Sequence, residues 1–432
     1  MNGPGPWRLR HVDLSGAVPD LPAAPGAQGL LCVFWWRDVP LGQAEVPATR
    51  LPMAAAALIE IAVGAIVPAV GHYVLDRGFR AHPALDGPPD LGALAVLEQP
   101  LDRIDRLLRA PEGPGPTVSV VVCTRDRPEA LARCLDAIGA LDPPPAEAVV
   151  VDNAPATDAT ERVVASRPGV RYVREPRPGL DVARNAGVRH STGDVVAFTD
   201  DDVVVHPRWL AGLRRAFAHA DVAAVTGLVL PAALATEAQI LFETHWGFNR
   251  GYRVRTYDTD YFARTRASGT PVWEIGAGAN MAFRREVFDR VGGFDERLDV
   301  GAAGCSGDSE IWYRVLAAGA TCRYEPTAVV HHVHRERMDG LRRQLFYYMR
   351  GHVAALLVQH ERTGDRGNLR RLAGSLPRYY LRRTAQAVRG RFRGRHRMLL
   401  PEVSGCVSGV GYYLRHRRAP EPDEERRELV AP

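Results

Sequence analysis

The chain of 432 residues contains no lysine; all 55 of its basic residues are arginine. With abundant Ala, Gly and Pro, this reads as the coding bias of a GC-rich bacterial genome, so no arginine is taken as functional merely for being present. Cysteine is scarce as well. Cys32, Cys123, Cys134, Cys305, Cys322 and Cys406 show no CxxC spacing, and Cys123 falls within a predicted core strand. That pattern excludes a disulfide framework and points to a reducing cytoplasm. The N-terminus lacks a cationic start followed by an apolar block, so no signal peptide is expected. No recognisable RNA or DNA motif is present, and nucleic acid is not expected as a partner. Long apolar runs are equally rare. Residues 53–75 could span a bilayer by length, but Glu60, Pro68 and His72 interrupt them and Ala adds little insertion energy. A helix packed on a small sheet is the expectation there.

What is present suits a soluble globular protein. The chain is 46% apolar and 24% charged, and long enough for two or three domains. Its most informative feature is three adjacent carboxylates, Asp200, Asp201 and Asp202, between the apolar runs 195–199 (VVAFT) and 203–205 (VVV). A buried strand cannot carry three ionised Asp side by side, because each would lose hydration without a partner. The cluster therefore belongs at a strand end, where a divalent cation can neutralise it. Asp supplies the hard oxygen ligands that Mg²⁺ or Mn²⁺ accept, and such an ion usually bridges to phosphate. Standing alone, a DDD run is more often a solvated acidic turn.

The upstream sequence changes that balance. Residues 118–124 (VSVVVCT) read as a buried strand, and 128–140 as a helix opened by Pro128. A second strand, 148–151, ends at Asp152 and Asn153, and a helix over 158–166 leads to a third strand at 170–173. A Pro/Gly turn (Pro176, Pro178, Gly179) and a helix over 181–190 precede the strand that delivers the carboxylates. Such alternation predicts a parallel, doubly wound sheet with ligands at the carboxyl ends of its strands. Thr124, Asp152 and Asp200–Asp202 all fall on those ends.

Six motifs appear in order: 118–128 (VSVVVCTRDRP), 150–153 (VVDN), 184–187 (RNAG), 198–210 (FTDDDVVVHPRWL), 276–296 (GAGANMAFRREVFDRVGGFDE) and 307–319 (GDSEIWYRVLAAG). Together they resemble the inverting glycosyltransferases of family 2, over roughly half the chain, from Thr117 to about Arg335. The resemblance implies a GT-A fold, meaning α/β and Rossmann-like with a mostly parallel central sheet. It also implies a nucleoside-diphosphate sugar donor (UDP, GDP or dTDP), a hydroxyl acceptor, Mg²⁺ or Mn²⁺, and a general base.

Carried over residue by residue, Thr124 and Arg125 would line the nucleotide pocket. Asp152 would accept from the N–H of uracil or guanine, and Arg184 would stand near the phosphates, unless it is a helix-surface salt bridge. Asp200 and Asp202 would form the DXD pair, with Asp202 closest to the metal and Asp201 nearer the ribose or sugar. His332, within 329–335 (VVHHVHR), matches the histidine that completes the metal site, whereas His331 and His334 read as ordinary strand-end residues. Asp308 aligns with the base and Glu310 with a second acid on the acceptor side, along with Trp273 and Gly278. Gly307 stands where the family usually has Glu, which leaves a non-catalytic sugar-nucleotide or membrane-binding module as an alternative. Asp308 also reads simply as a helix cap. A sugar-1-phosphate nucleotidyltransferase, which typically works with Arg and Lys on a Gly-rich loop, is disfavoured by the missing lysine.

The expected domains are a small N-terminal α+β unit (1–112), the glycosyltransferase unit (117–340) and a helical, Arg-rich extension (341–432). Gly/Pro-rich breaks at 86–89 and 111–116 mark linkers, 30–36 and 42–46 read as strands around a turn at 39–42, and 421–428 reads as disordered. The aromatic segment 228–272 suits either a sugar platform or a core. Residues 335–418 hold 20 Arg against 5 acidic residues, a net of +15, so the remainder sums to −10. Interleaved Tyr beside Arg suits anionic lipid, which would place a cytoplasmic protein peripherally on the inner membrane face.

Overall fold

The computed structural model describes residues 5–75, 100–104, 106, 108, 115–389 and 394–417. The break at 86–89, most of that at 111–116, and the acidic 421–428 segment lie outside the described residues.

A three-stranded sheet opens the chain: β1 (Trp7–Asp13) runs parallel to β2 (Gly29–Trp36), which pairs antiparallel with β3 (Val39–Pro47). Strand β1 carries no strong apolar alternation and escapes a reading of the sequence. The hairpin turn is Arg37–Asp38, with Arg37 at φ 56, not the expected 39–42 segment. Pro40 misleads here because it suggests a turn. It instead faces Trp35 where β3 carries an extra residue, a bulge that tolerates a missing N–H. The helix Ala55–Leu75 packs on β3 so closely that a Cβ on Gly42 would lie 2.5 Å from the Ala65 carbonyl oxygen. Among the described residues it alone is long and apolar enough to cross a membrane by length and composition. Its Leu58, Ala62, Val63, Ile66 and Val70 are nevertheless buried against Phe34, Leu41 and Val46, the packed helix expected from the sequence.

The larger sheet has nine strands: β4 (Val118–Thr124), β5 (Glu147–Asn153), β6 (Val170–Glu175), β7 (Val195–Asp200), β8 (Val203–Val205), β9 (Val222–Pro231), β10 (Arg255–Tyr257), β11 (Asn280–Arg284) and β12 (Thr321–His332). Their order is β10-β12-β9-β11-β7-β4-β5-β6, with β8 paired to β12. Strands β7, β4, β5 and β6 are mutually parallel, as are β9 and β12, while β11 enters antiparallel between β7 and β9. Residues alternate between two cores because successive side chains point to opposite faces. Val121, Val149 and Phe198 pack towards Ala183 and Phe294, whereas Val120, Val122 and Val150 pack towards Leu131, Leu135 and Trp209. Helices cover both faces, so the carboxyl ends of β4, β5 and β7 open together at one edge.

The small sheet docks on the large one. Trp35 stacks on His206 with centroids 5.3 Å apart, His11 meets His331 edge-on at 5.3 Å, and Trp7 N donates to Leu234 O at 2.8 Å. The aromatic segment proves mostly structural. Tyr252 OH donates to Gln43 Oε1 at 2.7 Å, Tyr257 OH to Glu274 O at 2.9 Å, and Trp246 Nε1 to Glu402 Oε1 at 2.9 Å. Beyond β12 come the helices Met338–Thr363, Leu376–Val388 and Leu399–His416. The first and last approach through Gly409, where a Cβ would lie 2.6 Å from the Arg350 carbonyl oxygen.

Candidate active site

The three carboxylates after β7 do not act alike. Asp200 Oδ, Asp202 Oδ and a ring nitrogen of His332 lie within 4.8 Å of one another, a ligand set drawn from two strands far apart in sequence. Asp202 Oδ1 is 3.6 Å from His332 Nε2, and its Oδ2 is 3.2 Å from Arg127. Burial raises Asp200 to about 7, Asp202 and Asp201 add to the rise, and Arg184 opposes it. Burial lowers His332 to about 4, so it stands as a neutral imidazole with a lone pair available to a cation. Two carboxylates and one neutral histidine form a donor set that fits Mg²⁺ or Mn²⁺.

Asp201 turns the other way. It is 5% exposed, accepting from Thr124 Oγ1 at 2.7 Å and Arg127 at 3.0 Å. The expectation that Asp201 faces ribose or sugar is therefore corrected, and the Thr124 hydroxyl is turned to Asp201. Each satisfies the other, because a buried carboxylate needs donors. Arg127 bridges Asp201 to Asp202 and is the residue a sequence reading misses, lying two positions past the exposed Arg125 with nothing to distinguish it.

At the end of β5, Asp152 is fully buried. Tyr172 OH donates to its Oδ2 at 2.9 Å, while Oδ1 has no hydrogen-bond partner. Burial raises its pKa, opposed by Tyr172. An orphaned acceptor at a strand end suits a ligand N–H.

Arg184 is not on a helix surface. It is 3% exposed, 2.9 Å from Asp181 Oδ1 and 2.6 Å from Asp299 Oδ2, with its guanidinium over the Phe294 ring at 5.5 Å. Its field also reaches Asp200 and Asp308, so one cation holds several carboxylates together. Asp181 and Asp299 were not evident from the sequence. Asp299 has φ 59, a left-handed conformation that Asp tolerates.

Asp308 stands in the first turn of the helix Gly307–Ala317, whose N-cap is Ser306, and its Oδ1 accepts from Ser309 N at 2.6 Å. Burial and then Asp299 raise its pKa, with Arg184 opposing. Gly278 is tight against it: a Cβ there would lie 2.9 Å from Arg184 and 3.1 Å from Asp308 Oδ2. Glu310 is corrected from the acceptor side. It is wholly buried, its oxygens 2.8 and 2.9 Å from Arg314 Nε and 3.6 Å from Arg362. With period 3.6, two residues on from Asp308 faces away, into the core. Trp273 is covered by Arg371 at 4.0 Å and meets His352 edge-on at 5.0 Å, held by the C-terminal helices. His334 is also corrected. It is buried, 3.0 Å from His332 and 2.9 Å from Glu243, directly behind the candidate metal-ligating set.

Residues 119–292 match the model of glycosyl transferase family 2. The chain is similar to the pre-mycofactocin glycosyltransferase of Mycobacterium tuberculosis, 29% identical over 297 residues, covering 66% of this chain and 58% of that protein. It is 30% identical over 226 residues to the succinoglycan biosynthesis protein ExoM of Rhizobium meliloti, covering 50% of this chain and 66% of that one. The chain thus spans little more than half the length of the Mycobacterium protein. Among solved structures it is similar to the mannosyltransferase PcManGT from Pyrobaculum calidifontis in complex with GDP-Man and Mn²⁺. That likeness is 24% identical with a TM-score of 0.46, covering 71% of this chain and 92% of that one.

Proposed function

Because the chain belongs to glycosyl transferase family 2 and has its GT-A type of sheet, we propose that it is a metal-dependent inverting glycosyltransferase. It moves a sugar from a nucleoside-diphosphate sugar to a hydroxyl acceptor. The observation that carries this reading is the convergence of Asp200, Asp202 and His332. Those residues would hold Mg²⁺ or Mn²⁺, which supplies Lewis-acid charge to a diphosphate leaving group.

The remaining chemistry falls to the protein. Asp152 Oδ1 receives a base N–H of the nucleotide. Arg184, held by Asp181 and Asp299, places positive charge near both Asp200 and Asp308. Asp308 takes the acceptor hydroxyl proton as its oxygen bonds to the anomeric carbon; the bond from that carbon to the diphosphate breaks, its electron pair leaves with the nucleotide, and configuration inverts. The raised pKa of Asp308 suits a base, because proton transfer is most effective when the pKa approaches the working pH. A thermal-shift screen of UDP-, GDP- and dTDP-sugars with Mn²⁺ tests the donor class, and metal-dependent donor hydrolysis by the purified protein separates an enzyme from a binding module.

A second observation concerns location. The helix Leu399–His416 leaves Leu400, Val403, Val407, Val410 and Leu414 exposed, a stripe at helical spacing, and Leu381 and Val388 are exposed on its neighbour. Apolar rows of this kind within a +15 segment favour docking on an anionic bilayer, and with it a lipid-linked or membrane-adjacent acceptor.

A further inference from the structure

A line of polar side chains runs from the DXD carboxylates back into the protein. His332 Nε2 faces Asp202 Oδ1 at 3.6 Å. Behind it, His332 Nδ1 lies 3.0 Å from His334 Nδ1, and His334 Nε2 lies 2.9 Å from Glu243 Oε2. The side chains of His334 and Glu243 are 1% and 7% exposed, so bulk water does not compete for these bonds.

Hydrogen-bond polarity follows from the last member. An ionised carboxylate only accepts, so the His334 proton that reaches Glu243 is on Nε2. In the tautomer where that is the only proton on its ring, His334 presents a lone pair at Nδ1. Two nitrogens at 3.0 Å need one proton between them, so His332 donates from Nδ1. Whenever His332 is neutral, its remaining lone pair is on Nε2, the nitrogen aimed at Asp202. A lone pair facing a carboxylate oxygen is repulsive; a cation placed between them makes ligands of both.

Aromatic neighbours also hold the two rings, which are tilted 43° to each other. Phe248 meets His332 edge-on at 5.6 Å, and Phe242 contacts His334 at 4.7 Å between centroids. Glu243 rides on the helix Glu237–Trp246, whose start is fixed by the Thr236–Gln239 capping box, and Gln239 donates on to His334 O at 3.4 Å.

We propose that Glu243 and His334 are positioning residues that set the tautomer of His332, holding Nε2 unprotonated and oriented to receive the divalent ion. This rests on the metal-dependent reading of the site. Glu243 borders a cavity of about 470 Å³ lined also by Gln43, Asn249, Arg250 and Arg255, so its side chain can be changed without overpacking.

Two measurements on the full chain test the relay. In the metal-free wild type, ¹⁵N imidazole spectra should show His332 protonated at Nδ1 and bare at Nε2; a proton on Nε2 in the neutral ring overturns the proposal. By calorimetry or Mn²⁺ paramagnetic resonance without nucleotide, Glu243→Leu should bind Mn²⁺ about 10- to 100-fold more weakly. Glu243→Gln, which keeps an accepting oxygen, should lose less. A folded Glu243→Leu protein with wild-type Mn²⁺ affinity overturns the proposal, and if that variant fails to fold, the wild-type spectrum decides. Should the wild type bind no Mn²⁺ at all, the metal-dependent reading falls, while the imidazole spectrum still judges the relay.

Discussion

Gly307 and the Asp181 carboxylate compete for one space: a Cβ on Gly307 would collide with Asp181 Oδ2, itself buried and without a hydrogen-bond partner. The glycine that departs from the family pattern is therefore required by this chain's own packing, and it need not signal a lost activity. Ala at 307 should destabilise the fold despite its better helix propensity of about 1 kcal/mol. In an Asp181→Ala background the same change should become neutral or stabilising. A double-mutant cycle by denaturant unfolding reads the coupling; additive effects would show that the two do not compete.

Asp308→Asn keeps the shape and the bond to Ser309 but cannot take a proton near neutral pH. Transfer should fall at least ~100-fold with donor affinity nearly unchanged. The same variant should melt higher, by about 2 °C for each ~1 kcal/mol relieved, because a buried carboxylate beside Asp299 costs stability while ionised. A loss of activity accompanied by a fall in Tm would instead mark Asp308 as structural. Glu310→Gln is expected to act on the fold, since it removes the buried carboxylate partner of Arg314, while Arg362 keeps Asp295; breaking such a pair costs about 3–5 kcal/mol. Its signature is lost stability, with turnover preserved in whatever folds.

The pH dependence follows the same group. The Asp308 pKa is raised, so the proposed base would be protonated and idle at pH values where an ordinary Asp is already ionised. Activity should therefore rise with pH through a limb above the ordinary carboxylate range, and kcat/KM against pH measures it. For stability the sign is opposite: a carboxyl whose folded pKa is raised contributes fully below its unfolded pKa and loses that contribution as pH climbs through the folded value.

Nucleotide binding should depend on Mg²⁺ or Mn²⁺, and Asp202→Ala should abolish turnover while the fold survives, because one member of a crowded acidic cluster is removed. Calorimetry with metal and with EDTA checks this, and equal affinities would refute it.

Co-sedimentation with liposomes containing acidic lipid, released by salt, is expected for the full chain. Val407→Glu together with Leu414→Glu, both on the exposed stripe, should abolish it without changing donor binding. Equal recovery in the supernatant with neutral and acidic vesicles would favour a purely structural extension.

Much of this architecture was legible in the chain because buried parallel strands leave unbroken β-branched runs. The runs 118–124, 148–151 and 195–199 each fall within an observed strand, and their ends gather Asp152, Asp200 and Asp202. Strand β1 left no such trace, since an edge strand with WRLRHVD composition buries only Trp7 and Val12. Arg127, Asp299 and Glu243 were hidden for a different reason. Each acts through a partner far away in sequence, and spacing along the chain records only local neighbours. Asp201 and Glu310 misled because a motif names residues without saying which way they face.

Strand β12 sends His331 towards His11 of the N-terminal sheet and His332 towards Asp202, while a register irregularity sits between Glu325 and Val329. Adjacent strand residues face opposite sides, so which histidine reaches the carboxylates is a matter of odd or even count. The bulge is thus the ratchet that sets this parity. A one-residue slip of β12 beyond the bulge would leave a sheet still able to pair, yet would exchange the two histidines and disarm the proposed metal pocket and the contact with the N-terminal sheet together.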